Sequence, residues 1–214
     1  MLLNSCNDGV VTFTGGNSKV RFLYLSSRTS TATVYYGSNI LFENAQHGKP
    51  TTYSTFPAGL EQTIEVRDKA DSTIYFQKFK PQKYVFAIDA NYTIIATGSD
   101  RPLYLYSLDS LVSPVAGKPT IRFINVSDSV LSASLKLNSV PYFKNGIEQN
   151  DMSKYLTEAP GGNVTIEALD NDFNKVVATT NTTFQNDKVY YVLLYNKPNS
   201  KQLEVSVIST TETN

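Results

Sequence analysis

Only one cysteine and one histidine occur in the 214 residues, methionine appears twice, and tryptophan is missing. One cysteine cannot close an internal disulfide, and one histidine cannot build a histidine-rich metal site. Lysine plus arginine and aspartate plus glutamate stand at 19 each, so no basic excess draws in nucleic acid or an anionic bilayer. No stretch reaches the roughly 20 apolar residues that a membrane-crossing helix needs; the longest apolar run is Val189 to Tyr195. A Gly-x-Ser-x-Gly nucleophile turn does not occur, and nothing implies a cofactor. What is abundant is aromatic and β-branched: 14 Tyr and 11 Phe stand among many Thr, Val, Ser and Asn. Such residues fit a pleated, half-buried surface, so the chain is strand-rich. With 41% hydrophobic residues over this length it can fill two ordinary cores.

Compared with itself, the chain repeats. Val20-Arg-Phe-Leu-Tyr-Leu-Ser26 aligns with Ile121-Arg-Phe-Ile-Asn-Val-Ser127, each followed six residues later by alanine, Ala32 and Ala133. Tyr53 and Phe-Pro57-Ala-Gly59 match Tyr155 and Ala-Pro160-Gly-Gly162; Thr63-Ile-Glu65 matches Thr165-Ile-Glu167. Phe79 and Tyr84-Val-Phe-Ala-Ile then correspond to Phe184 and Tyr190-Tyr-Val-Leu-Leu. Order is kept and spacing drifts by a residue or two, so the two copies are structural repeats. Between them, the prolines, glycine and serines of residues 108–119 read as a linker.

Within each copy, short alternating runs are separated by turn residues, and no window carries a helical period. The fold class expected is all-β: two tandem immunoglobulin-like or transthyretin-like sandwiches of seven to nine strands each. The divisions are a leader or tether over 1–18, repeats over 19–107 and 120–208 around the linker, and a tail over 209–214. Arg21-Phe-Leu-Tyr-Leu is apolar on both faces, which places it inside the sandwich, covered on both sides, with Arg21 at its entry end.

Two resemblances follow from these residues. Leu3-Asn-Ser-Cys6 resembles the lipobox of bacterial lipoproteins, which implies lipidation at Cys6 and a polar tether from Asn7 to Ser18. A secretory signal also needs a charged segment and roughly 7 to 15 apolar residues, and only Met-Leu-Leu precedes; a start upstream of Met1 supplies the rest. The other reading, a leader cysteine without a role, stays open. Arg21-Phe-Leu-Tyr24-Leu-Ser26, Ala32-Thr-Val-Tyr35-Tyr-Gly37, Phe56-Pro-Ala-Gly59 and Tyr84-Val-Phe together resemble the bacterial domain of unknown function family 4397. That resemblance implies tandem extracytoplasmic sandwiches and no activity. Where the family has a histidine followed by Ser-Pro-Asp, this chain has Tyr24 with Ser26-Ser-Arg and Asn125 with Ser127-Asp-Ser.

The candidates for chemistry are few. His47 reads as a solvated loop histidine with no carboxylate to orient it. Asp170-Asn-Asp172-Phe-Asn174 spaces oxygens like a calcium loop, but Lys175 replaces the turn glycine, and a hairpin tip explains it. Glu65 and Glu167 lie in different repeats, so they are exposed strand charges rather than the paired acids of a glycosidase. Among the tyrosines, Tyr104 and Tyr106 alternate with Leu103 and Leu105. If the leucines face the core, the tyrosines form an outward pair, with Tyr35, Tyr191 and Tyr195 behaving likewise. Such rings can stack on sugars or anchor a protein; tyrosine as a plain β-former at the core rim is the alternative. The expectation is a non-catalytic lipoprotein of the bacterial cell envelope, outer membrane or surface, that binds an extracellular glycan or surface protein. A structural spacer or assembly subunit is the rival reading, and a hydrolase with an unrecognised site the third.

Overall fold

The structure, a computed structural model, describes residues 15–68, 82–98, 103–109 and 113–210. Cys6 and Phe79 lie outside them. Sixteen strands and no α-helix occur among the described residues, eight strands in each repeat. The first repeat contains β1 (Asn17–Tyr24), β2 (Thr31–Tyr36), β3 (Asn39–Gln46), β4 (Ser54–Pro57), β5 (Glu61–Asp68), β6 (Gln82–Val85), β7 (Asn91–Thr97) and β8 (Leu103–Leu108). The second contains β9 (Thr120–Asn125), β10 (Ser132–Leu137), β11 (Val140–Glu148), β12 (Asp151–Met152), β13 (Gly162–Asp170), β14 (Lys175–Phe184), β15 (Val189–Asn196) and β16 (Leu203–Ser209). The turn before β5 runs through Gly59 at φ +74, and β13 opens on Gly162 at φ +79, both in the region that favours glycine.

The two repeats are wired alike. One sheet in each has the order β4-β1-β7-β8 or β12-β9-β15-β16; the other has β3-β2-β5-β6 or β11-β10-β13-β14. The first strand of each repeat pairs in parallel with its penultimate strand, β1 with β7 and β9 with β15, while other neighbours are antiparallel. These are the two tandem β-sandwiches, of the immunoglobulin-like or transthyretin-like kind, that the repeat implied.

Period-two alternation shows what covers each face. Along β1, Val20, Phe22 and Tyr24 enter the core of the first sandwich, while Leu23 enters a separate cluster. Along β15, Tyr190, Val192 and Leu194 enter the second core, and Tyr191, Leu193 and Tyr195 join Leu23 in that third cluster. Ile95 of β7, Ile124 of β9 and Ile208 of β16 complete it from both repeats. The sheets containing β1 and β9 therefore face each other across an apolar layer. β1 is covered on both sides, but its second cover is the other domain and not its own sandwich. Arg21 corrects its expected place at the strand's entry: it lies mid-strand, is 6% exposed, and points into the layer between domains.

The remaining sequence readings fall on the outer sheets. Asp170 to Asn174 forms the tip between β13 and β14, where the Asp172 amide donates to Asp170 Oδ1 and Asn174 takes φ +49. Glu65 is half-buried and holds the Arg67 guanidinium, Nε to Oε1 at 2.8 Å. Glu167 lies opposite Lys136 of β10 and Thr179 of β14.

Candidate functional site

The five tyrosines singled out in the sequence fall in three places. Tyr35 lies on an outer sheet opposite Glu65, half-buried, with the Arg67 guanidinium carbon 3.9 Å from its ring centroid. Tyr191 and Tyr195 are 0% and 3% exposed, sealed in the layer between domains, so neither can belong to an outward binding face. Tyr104 and Tyr106 correct the predicted orientation of β8. Tyr104 packs against the first core and Leu105 against the interdomain layer, because β8 belongs to a sheet covered on both faces. Of the five, Tyr106 alone is broadly exposed, at 60%.

Tyr106 marks a seam. β6 and β8 are edge strands of opposite sheets in the first sandwich, and between them opens a cleft of about 280 Å³ lined by Tyr84, Phe86, Tyr92, Tyr104 and Tyr106 with Lys83. Tyr84 of β6 and Phe86, just past its end, stand two residues apart and lie parallel, centroids 5.8 Å apart at 5°. Tyr106 meets Tyr84 edge-on at 5.9 Å and Tyr92 at 6.5 Å. The Tyr104 hydroxyl accepts from the Val66 amide at 3.0 Å, and the Tyr92 hydroxyl accepts from the Ala87 amide at 3.1 Å. These bonds fix the rings. Burial drives the Tyr84 and Tyr104 phenols well above their ordinary pKa, so both stay neutral. The seam offers a ring face and neutral hydroxyls, with Lys83 at its rim paired to Glu61 at 2.7 Å. Tyr84, Phe86 and Tyr92 were not among the predicted site residues. Their i, i+2 spacing was readable, but the pairing of β6 and β8 across a seam was not.

A second constellation lies buried between the domains. Asp109, just past β8, receives hydrogen bonds from the hydroxyls of Thr93 and Tyr53, both at 2.6 Å on Oδ2, and from Tyr191 on Oδ1. Arg21 Nε donates to Thr93 Oγ1 at 2.9 Å, and Nη1 donates to the Ser209 carbonyl at 3.0 Å. From the other side, Arg122 Nη1 donates to Ser107 Oγ at 2.9 Å, and Ser107 Oγ lies 2.6 Å from the Tyr191 hydroxyl. A carboxylate only accepts, so the protons run Arg21 to Thr93 to Asp109 and Arg122 to Ser107 to Tyr191 to Asp109. Each arginine also covers a tyrosine, Arg21 over Tyr53 and Arg122 over Tyr155, both at 4.9 Å. Arg21 with Tyr53 and Arg122 with Tyr155 occupy equivalent places in the two repeats, while Thr93, Ser107 and Asp109 all come from the first. Burial raises the Asp109 pKa, and the three hydroxyls and Arg21 oppose the rise. Burial beside Asp109 raises the Tyr191 phenol.

His47 also differs from its expected place in solvent. Its ring is half-buried, 6.1 Å from Tyr24 of its own domain and 5.2 Å from Tyr195 of the other. Gly48 follows at φ +76, where an added Cβ would stand 3.1 Å from the Tyr195 hydroxyl oxygen. Burial, partly offset by backbone groups of Leu25 and Asn196, lowers the His47 pKa to about 4 from 6.5. Between these values the unfolded chain takes up a proton that the folded chain refuses. The contribution is therefore complete above pH 6.5 and is lost as the pH falls towards 4. Allowing for partial exposure, the loss amounts to about 2 kcal/mol. In urea melts from pH 7 to pH 4, His47→Gln is expected to flatten this slope relative to the wild type; an unchanged difference between the two proteins would show that His47 titrates normally.

Fold and seam together define a tandem β-sandwich protein whose domains share a buried, partly polar layer. The profile of the family described as Domain of unknown function (DUF4397) matches residues 18–132, more than half of the chain, and the protein belongs to that family. The match runs through the first sandwich and the interdomain segment to the first residue of β10. No curated protein matches the chain significantly. Among solved structures, a family 26 carbohydrate-binding module of Eubacterium rectale Amy13K, in complex with maltoheptaose, is 11% identical. That alignment covers 92% of this chain and 98% of that one, with a TM-score of 0.27. Family 41 modules from streptococcal virulence factors, described as recognising α-glucan, are 9% identical over 87% and 96%, at 0.27. The fimbrial anchor protein Mfa2 of Porphyromonas gingivalis is 9% identical over 90% and 97%, at 0.25. None of these likenesses is close enough to transfer a ligand.

Proposed function

We propose that the protein is a non-catalytic binding module of the bacterial cell envelope, anchored through lipid on Cys6, that takes an extracellular glycan or a surface-protein side chain in the β6–β8 seam. The observation that supports this reading is Tyr106, 60% exposed over a cleft whose lining is mostly aromatic, with Lys83 and Val85 beside the rings. A flat apolar face flanked by neutral phenols suits a sugar ring or an aromatic anchor. Among the described residues that line it, the seam holds no carboxylate pair and no base-activated nucleophile.

The test is calorimetric titration of envelope polysaccharides and surface-protein fractions into the wild type and Tyr106→Ala. Loss of the stacking face is expected to cost about 2 kcal/mol, ~30-fold in Kd. Equal affinities would move binding away from the seam. For the anchor, metabolic lipid labelling is expected in the wild type and not in Cys6→Ala when each is expressed behind a complete export signal. The spacer reading is favoured by a different observation, the apolar and hydrogen-bonded layer that ties the two sandwiches together. It gains if no titrant binds the seam.

A further inference from the structure

Sheet edges expose unpaired backbone donors and acceptors, and proteins ordinarily defend them with short strands, charges, prolines or bulges. Most edges here follow that rule. β4, β6 and β12 have four, four and two residues. β3 carries Glu43 and two register shifts; β11 carries Pro141, Lys144 and a register shift. β8 has six residues, and β16 carries Glu204 at its second position. β14 is different. It is ten residues long, Val176 to Phe184 contain no charge, proline or glycine, and its one register shift with β13, at Val177, is followed by regular pairing from Ala178 to Phe184. β14 is bonded to β13 on one side only, and its other side is the edge of the sheet.

That edge opens into space. A cleft of about 690 Å³ lies between β14 and β16, the edge strands that correspond to β6 and β8 in sheet order. It is lined by every residue from Lys175 to Thr180 and from Lys201 to Val205. Successive strand residues point to opposite faces, so a cleft touching six in a row runs along the backbone edge, for roughly 20 Å. Ala178, packed against the second core, and buried Val205 lie along it. Three lysines, Lys175, Lys197 and Lys201, surround it against the single carboxylate of Glu204.

From the long edge that is uncharged beyond Lys175, the cleft along it and its positive rim, we infer that β14 accepts an extended segment of a partner protein as an added strand, one that alternates apolar and acidic residues. Backbone hydrogen bonds to β14 supply affinity, and the lysines select carboxylates. A second copy is a poor occupant, since it brings the same three lysines to the same cleft. The inference concerns the second repeat and does not rest on the aromatic seam of the first.

The test uses the whole chain and a panel of eight-residue peptides alternating valine or threonine with glutamate, measured by calorimetry and by amide hydrogen exchange. Saturable binding is expected, with slowed exchange in β14 and β16. N-methylation of alternate peptide amides is expected to weaken it at least ~10-fold. The variant Lys175→Glu/Lys197→Glu/Lys201→Glu is expected to lose affinity at least ~10-fold, to keep its melting curve, and to bind the matching lysine–valine peptides instead. No saturable binding across the panel, indifference to N-methylation, or protection confined to other strands would overturn the inference. So would a sedimenting dimer with β14 amides protected before any peptide is added.

Discussion

Asp109→Ala is expected to destabilise the protein by about 3–5 kcal/mol, the cost of breaking a buried ion pair from one side. Arg21 stands 3.8 Å from the carboxylate, both side chains are nearly solvent-free, and nothing else near Arg21 carries a negative charge in that network. Removing the carboxylate also leaves the hydroxyls of Tyr53, Thr93 and Tyr191 without their acceptor. Tyr191 comes from the second domain and the other two from the first, so the same change unties the domains. In urea, followed by circular dichroism and tyrosine fluorescence, one cooperative transition in the wild type is expected to become two. Asp109→Asn keeps the shape and part of the acceptor capacity, and it should fall between. A loss under about 1 kcal/mol for Asp109→Ala would mean that water replaces the carboxylate and that the network is dispensable.

Separating the repeats is expected to have a still larger effect. Expressed alone, residues 15–109 would bare Leu23, Leu25 and Ile95, and residues 113–210 would bare Ile124, Val126, Tyr191, Leu193 and Ile208. Burying one such side chain contributes about 1.5–3 kcal/mol, and a domain is stable by only about 5–15 kcal/mol in total. Each half should therefore aggregate or self-associate through the bared sheet, as exposed apolar patches of this kind do. Mixing the halves during refolding should yield a soluble one-to-one complex with the melting behaviour of the intact chain. Two well-behaved monomers that ignore each other would show that the layer between domains is a contact of convenience.

This layer also explains which readings of the sequence held. The Pro57-Ala-Gly59 turn and the Asp170–Asn174 tip were legible because turn chemistry is local: φ is set by the residue and its nearest amides. The sandwich class and the repeat were legible because alternation and recurrence need no knowledge of neighbours. Tyr104 and Leu105 show where that ends. Alternation states that they face opposite ways but not which face meets which core, and on a strand covered on both sides the apolar residue has no privileged direction.

His47 and Arg21 misled for a related reason. A lone histidine in a polar loop looks solvated unless one knows that Tyr195, 148 positions later, lies 5.2 Å away. An arginine in an apolar strand looks like a boundary unless Asp109 is seen opposite it. The sequence by itself determined a strand-rich, twice-repeated chain without a disulfide or a histidine metal site, because composition and period act within a few residues. Only the tertiary structure decided that the two copies pack sheet to sheet, that Asp109 gathers both arginine relays, and that the rings of β6, β7 and β8 line one seam. Those outcomes depend on which distant surfaces meet, and contact between surfaces is set by the whole folded arrangement.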